Sequence, residues 1–258
     1  MKIAIIGAGA MGGAIADGLL KSQFVAPGEL IVSNPSPEKL EHFSDMGAET
    51  THNNAEAAEK ADVIILAVKP WLVQSVLIEV RDLLTSDKML ISVAAGIDRN
   101  DLLKWAGDEC ALLMAIPNIA AAQCQSMTFL FSVNVNPEDE GFAKQLFDSI
   151  GKTCLCNEMQ LQAGMALASC GIAYAFRYIR AASEGGVELG FKAHQAQEIV
   201  MQTLKGAVGL LETEGLHPEE AIDRVTTPGG ITIRGLNAME QAGFTNAVIQ
   251  GLKASVKR

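Results

Sequence analysis

At 258 residues with 49% apolar side chains, the chain is long enough for one large or two modest domains around a sizeable core, and its composition excludes disorder. Thirty acidic against twenty basic residues leave a net charge of −10 with no basic run, which excludes nucleic acid and anionic membrane surfaces as partners. No charge-free stretch of about eighteen apolar residues occurs, so no transmembrane helix is expected, and any phosphate must be held by local geometry.

Lys2 to Ile6 is a short apolar run that predicts a buried parallel strand, and it leads straight into Gly7, Gly9 and Gly12 at G-x-G-x-x-G spacing. Each glycine has its own reason: Gly7 for the tight turn, Gly9 for backbone approach to a pyrophosphate, and Gly12 for close packing of the next helix on the strand. That helix has Ala14, Ile15, Gly18 and Leu19 on one apolar face, and its N-terminal amides and positive dipole end suit phosphates. Lys2 and the small apolar residues up to Ala16 superficially resemble a secretory leader. The glycines and Asp17 interrupt the apolar helix a leader needs, so the segment is expected to belong to the mature fold.

Glu29 to Ser33 predicts a second strand, about twenty residues past the glycines, where an acidic residue would meet an adenosine ribose 2′-hydroxyl. None stands there. Ser33, Asn34 and Ser36 instead offer neutral hydrogen bonds and Lys39 a positive charge, which favours NADP over NAD because a carboxylate would repel a 2′-phosphate. Ser36 before Pro37 also reads simply as a helix cap. Asp62 to Val68 is a continuous apolar run suited to a central strand buried on both faces, ended by Lys69-Pro70. In an open parallel sheet the ligand lies beyond the carboxyl ends of the strands, so Ala67, Val68, Lys69 and Pro70 are expected beside the cofactor. Met89 to Val93 is another strand, followed by Ala94, Ala95 and Gly96, which are small enough to leave room for a flat ring.

Ala111 to Ala115, Thr128 to Val133 and Thr153 to Cys156 predict further strands, with a helix over Pro137 to Ile150. Five cysteines, Cys110, Cys124, Cys154, Cys156 and Cys170, form an odd set without a C-x-x-C pair, which fits reduced, buried thiols in a cytoplasm and no metal centre. The four histidines, His42, His52, His194 and His217, lack sequence partners of catalytic type and are expected at the surface or in packing. After Cys156 the pattern changes to helical spacing, as in Ile199, Leu204, Val208 and Leu211. The boundary falls near Asn157, giving an α/β dinucleotide-binding domain over 1–157 and an all-α domain over 158–258. Within the second region, Pro228-Gly229-Gly230 must turn tightly and expose amides at the start of the next helix, with Thr232 in its first turn. Such a place suits a small carboxylate; it also fits a plain helix-helix turn capped by threonine.

The order and spacing of GAGAMGGAI, LAVKP, SVAAGI, IPN, GIAYAF, VTTPGGITI and LNAMEQAGF resemble the pyrroline-5-carboxylate reductase family over nearly the whole chain. The resemblance implies an N-terminal Rossmann-type domain binding NADPH, with NADH as the alternative, and a C-terminal helical domain that intertwines with a second copy as a homodimer. It implies reduction of the cyclic imine 1-pyrroline-5-carboxylate to proline. The cofactor residues it implies are Gly7, Ala8, Gly9, Ala10, Met11 and Gly12, then Ser33, Asn34 and Asn54, then Ala67, Val68, Lys69 and Pro70, and finally Ala95 and Gly96. For the substrate it implies Gly229, Gly230, Ile231 and Thr232, with backbone amides on the carboxylate and the Thr232 hydroxyl on the ring nitrogen as the catalytic group. Asn118 matches an asparagine beside the nicotinamide.

Two segments depart from the family's usual pattern. M-P-N-T-P is replaced by Ile116-Pro117-Asn118-Ile119-Ala120, and S-G-S-G-P-A-Y by Ala168-Ser169-Cys170-Gly171-Ile172-Ala173-Tyr174. Both changes remove hydroxyls and make the pocket wall more apolar, which suits a weak enzyme or one for another cyclic imine. Imine reduction asks little acid-base machinery of the protein, since the ring nitrogen can be protonated in solution and the cofactor carries the hydride chemistry. Two rivals remain: a β-hydroxyacid dehydrogenase, whose G-x-x-x-K lysine is missing after Gly171, and a cofactor-binding paralogue that lacks turnover.

Overall fold

The computed structural model describes residues 1–256. Eight strands, β1 (Ile3–Ile6), β2 (Leu30–Ser33), β3 (Glu49–Thr51), β4 (Val63–Leu66), β5 (Met89–Ser92), β6 (Ala111–Ile116), β7 (Ser126–Ser132) and β8 (Gly151–Leu155), form one sheet in the order β3-β2-β1-β4-β5-β6-β7-β8. Neighbours from β3 to β6 are parallel, β7 runs antiparallel to β6, and β8 is parallel to β7. The order reverses across β1, so this is a doubly wound Rossmann-type sheet, and the crevice where the order reverses lies above the ends of β1 and β4.

The apolar strand runs are explained by burial on both faces. Ile3 and Ile5 of β1 pack with Ile15 and Leu19 of α1 (Ala10–Lys21) on one side. Ala4 and Ile6 pack on the other with Ala57 and Ala58 of α3 (Asn54–Lys60), and with Val73 and Leu77 of α4 (Val73–Val80). α2 (Glu41–Asp45) precedes α3, and α5 (Arg99–Ala106) follows α4. The helix expected over Pro137 to Ile150 is α6 (Pro137–Ser149), started by Asn136, whose side chain accepts from the amides of Glu138 and Asp139. The three-residue β3 was not expected from the sequence: Glu-Thr-Thr carries no apolar alternation, and it pairs because Ile31 to Ser33 present an open edge. An N-terminal capping box of Asn157 with Gln160 opens α7 (Glu158–Gly164), and a π-helical stretch, Met165–Ser169, follows.

The chain divides into two compact units, Met1–Ser169 and the residues from Cys170 onward. The second unit is all helix among its described residues: α8 (Gly171–Glu188), α9 (Ala193–Glu214), α10 (Pro218–Arg224), α11 (Ile231–Gln241) and α12 (Phe244–Ala254). α8 packs on α9, and Tyr174 of α8 donates to the carbonyl of Gly251 at 3.2 Å. Ala196 is the one apolar side chain of this unit that is buried among the described residues, whereas Phe176, Phe191, Val208 and Val248 are each about half exposed. No helix among the described residues is long and apolar enough to cross a membrane.

Candidate functional site

The glycine turn follows β1 directly. Gly7 has φ +105°, a left-handed conformation open to glycine, and its amide donates to the carbonyl of Ser33 at 2.8 Å. A Cβ on Gly12 would lie 1.8 Å from the carbonyl oxygen of Gly7 and 3.0 Å from the Cβ of Ala67, so α1 can approach the strand only without a side chain there. Gly9, the N-cap of α1, differs: a Cβ on it would meet nothing within 4 Å. No side chain caps α1 and no acidic residue stands in its first turn, so the amides at its start, among them Ala10 and Met11, keep their positive end open. Ala8 is tied down, its amide donating to Asn34 Oδ1 at 3.1 Å.

The end of β2 is a hydrogen-bonded set. Ser33 is fully buried, and its hydroxyl donates to Asn54 Oδ1 at 2.8 Å; Asn54 Nδ2 in turn donates to Glu79 Oε2 at 3.0 Å. Ser33 therefore positions Asn54, and the half-buried Asn54 is the member with surface to offer a ligand. His52, exposed, sets Nδ1 at 2.9 Å from the carbonyl of Asn34, while His42 pairs with Asp17 at 2.7 Å and His217 accepts the amide of Glu219 at the start of α10. These three histidines are thus engaged at the surface or in capping. Sequence reasoning missed Glu79, because nothing in the helical pattern of α4 tells that its single carboxylate reaches the first residue of α3.

Because β1, β4, β5 and β6 are parallel, their carboxyl ends share one edge of the sheet. Ala67 holds the turn through its amide to the carbonyl of Ile6 at 2.8 Å, Val68 is half-buried, and Lys69 and Pro70 are exposed at the start of a 3-10 turn. Lys69 has no ion-pair partner among the described residues. Ala95 and Gly96 are exposed, with Gly96 at φ +76°. Just before them, Ser92 Oγ is the one buried side-chain oxygen or nitrogen without a hydrogen-bond partner among the described residues. Asn118, beyond β6, is 5% exposed; its Oδ1 accepts the amide of Ala120 at 3.0 Å and its Nδ2 donates to the carbonyl of Ala168 at 3.3 Å. Its polar atoms thus hold the turn in which Ile119, 44% exposed, and Ala120 lie.

In the second unit, Gly229 has φ +70° and the amide of Gly230 donates to the carbonyl of Thr227 at 2.9 Å, closing the expected tight turn. α11 then starts with Gly230 as N-cap and no side-chain cap. Ile231 is 79% exposed, and the exposed Thr232 hydroxyl has no hydrogen-bond partner among the described residues. Thr232 does not cap the helix, so the plain capping alternative is not what the side chain does. Cys170 and Ile172 are half-buried at the start of α8.

Burial pushes the thiol of Cys110 up to about 11, and that of Cys156, where the neighbouring Cys154 adds to the effect, also to about 11. All five cysteines are free.

Comparison with known proteins brings two family models to the chain. Residues 158–258 match pyrroline-5-carboxylate reductase dimerisation, and residues 2–96 match NADP oxidoreductase, coenzyme F420-dependent. Pyrroline-5-carboxylate reductase 2 of Dictyostelium discoideum is 35% identical over 100% of this chain and 91% of its own length. Pyrroline-5-carboxylate reductase 1 of the same organism is 36% identical over 98% of this chain, which spans only 48% of that longer protein. Among solved structures, the Plasmodium falciparum pyrroline carboxylate reductase with NADP bound superposes with a TM-score of 0.92 at 28% identity, covering 99% of this chain and 95% of that one.

Proposed function

The chain belongs to the pyrroline-5-carboxylate reductase family, and from that premise we propose that it reduces 1-pyrroline-5-carboxylate to proline with hydride from NADPH. The observation that carries the proposal is Gly9, where packing gives no reason for the missing side chain and an approaching phosphate does. The amides of Ala10, Met11 and Gly12 would hold the pyrophosphate on the open end of α1. Asn34 and Asn54, with Ser33 behind them, would hold the adenosine end, while Ala67 to Pro70 and Ala95-Gly96 would flank the rest of the cofactor along the same sheet edge. When bound, the reduced nicotinamide supplies the hydride.

The chain's own part in the chemistry is binding and orientation. The amides that open α11 after Gly229 and Gly230 offer a carboxylate a positive dipole end without a basic side chain. Thr232, with its hydroxyl free, would accept from the protonated ring nitrogen and fix which face of the ring is presented. Asn118 would act through the turn it holds. We take 1–157 as the cofactor domain and 158 onward as the substrate and self-association domain, following the extent of the family match. The exposed apolar side chains of α8, α9 and α12 support pairing with a second copy of the chain, and five unpaired thiols fit a cytoplasmic setting.

Purified protein given NADPH and pyrroline-5-carboxylate should consume reduced-nicotinamide absorbance and yield proline. Binding of NADPH without turnover would favour a paralogue that has lost the reaction. Because Ile119, Ala120, Ala168, Cys170 and Ile172 are more apolar than the family pattern, a six-membered cyclic imine carboxylate belongs beside the five-membered one in that assay.

A further inference from the structure

No carboxylate stands at the end of β2, where the nearest downstream is Glu38 in the Pro37–Lys39 turn, yet one is delivered to that strand end from another helix. Ser33 donates its proton to Asn54 Oδ1, and Asn54 Nδ2 donates to Glu79 Oε2. A carboxylate only accepts, so an Asn54 amide turned the other way would set oxygen against oxygen. Glu79 thus fixes one end of the amide and the buried Ser33 the other. Glu79 itself is exposed on α4, so its charge is open to solvent and to a ligand.

Resting on the nucleotide reading above, we propose that Glu79 is the specificity-determining residue at the adenosine end: anchored by Asn54, it accepts from a ribose 2′-hydroxyl and weakens the hold on a 2′-phosphate. Two consequences of the geometry point the same way. One of the two Asn54 amide protons is already given to a carboxylate, which leaves a phosphate one amide donor instead of two, and a phosphate bearing nearly two negative charges meets a like charge. Lys39, exposed beside Glu38 in the turn after β2, acts in the opposite direction, so the two cofactors compete on the balance of these charges. The sequence at the end of β2 alone therefore overstates the preference for NADPH.

The test reads nucleotide binding and leaves imine turnover aside. Full-length protein is titrated by calorimetry with 2′,5′-ADP and with 5′-AMP, which differ only in the 2′-phosphate. Glu79→Gln keeps a partner for Asn54 and should tighten 2′,5′-ADP about fivefold at low salt, as expected for removing one nearby exposed charge, while 5′-AMP, whose 2′-hydroxyl loses a charged acceptor, should weaken. The gain should shrink to under about twofold at roughly 0.5 M salt, where exposed charges are screened. Glu79→Asp, which keeps the charge, should retain the wild-type ratio. A ratio unchanged in Glu79→Gln, or an equal shift for both nucleotides, would overturn the proposal by giving Glu79 a merely structural role. If the wild type binds neither nucleotide, the cofactor reading falls and this one with it. Loss of the imine reaction alone would leave the ratio, and so the proposal, standing.

Discussion

Alanine at Gly9 and alanine at Gly12 should have opposite consequences, although the two glycines stand three residues apart in one motif. A Cβ at Gly12 would sit 1.8 Å from the carbonyl oxygen of Gly7, which is backbone and cannot rotate away, with Ala67 Cβ at 3.0 Å on the other side. Separating them means lifting α1 from the strand, an overpacking cost of about 3 kcal/mol. For a domain of this size that lowers the melting temperature by about 6 to 12 °C. At Gly9 the added methyl meets nothing, and φ −77° with ψ −169° is ordinary extended backbone. The small loss of a favoured N-cap residue is offset by the reduced entropy of the unfolded chain, leaving stability within about 0.5 kcal/mol. The methyl would nevertheless occupy the approach to the first amides of α1, and loss of about 1.4 kcal/mol or more of phosphate contact weakens NADPH at least about tenfold. Thermal melting and NADPH titration by fluorescence on both variants decide the matter. Wild-type NADPH affinity in Gly9→Ala would refute the assignment of this turn to the cofactor.

Thr232→Val, nearly isosteric, should lower kcat about ten- to a hundredfold, corresponding to about 1.4 to 2.7 kcal/mol of transition-state stabilisation, with NADPH affinity unchanged; wild-type kcat and KM would send the search to Asn118 and Cys170. In the native protein Cys110 and Cys156 should resist iodoacetamide at pH 8, because a thiol raised to about 11 is almost wholly protonated there, and their labelling should grow only as pH climbs towards that value; mass spectrometry of labelled peptides reads this, and rapid modification of Cys110 at pH 8 would contradict its burial. The helical unit should hold the chain in a dimer or larger assembly at micromolar concentration, and a monomer by light scattering would leave its half-exposed Phe176, Phe191 and Val248 unexplained.

Most of the sheet was legible because burial on both faces writes itself as uninterrupted apolar runs, and β1, β2, β4, β5 and β6 all start within a residue of where those runs start or end. β3 was not, since three half-buried polar residues pair through backbone alone and leave no side-chain period. The strand expected from Thr153 begins earlier, at Gly151, where close backbone contact with Ser126 admits only glycine and no apolar residue signals it. The turn at Gly229 and the helix after it were legible for another reason: proline interrupts a helix and glycine reaches the positive φ of a tight turn without steric cost.

The site divides along the same line. Gly7 and Gly12 are fixed by packing against Ala67 and by each other, so they would be glycines in this turn whether or not a nucleotide ever bound. A fingerprint containing them measures the closeness of helix and strand; only the middle glycine bears on the ligand, because it alone of the three has no packing reason to lack a side chain. Ser33 and Asn54 show the converse. The residue type of Ser33 suggested a neutral contact to a phosphate and the family resemblance placed Asn54 at the cofactor, but a hydroxyl and an amide have no fixed role until their partners are known. Here the hydroxyl is buried and spends its proton on the amide, and the amide spends one of its own on Glu79. The polarity offered to a ligand is thereby set by a charge from α4 that no spacing rule around β2 could locate, which is why the sign of cofactor selectivity at this end has to be read from the hydrogen-bond chain rather than from the residues that end the strand.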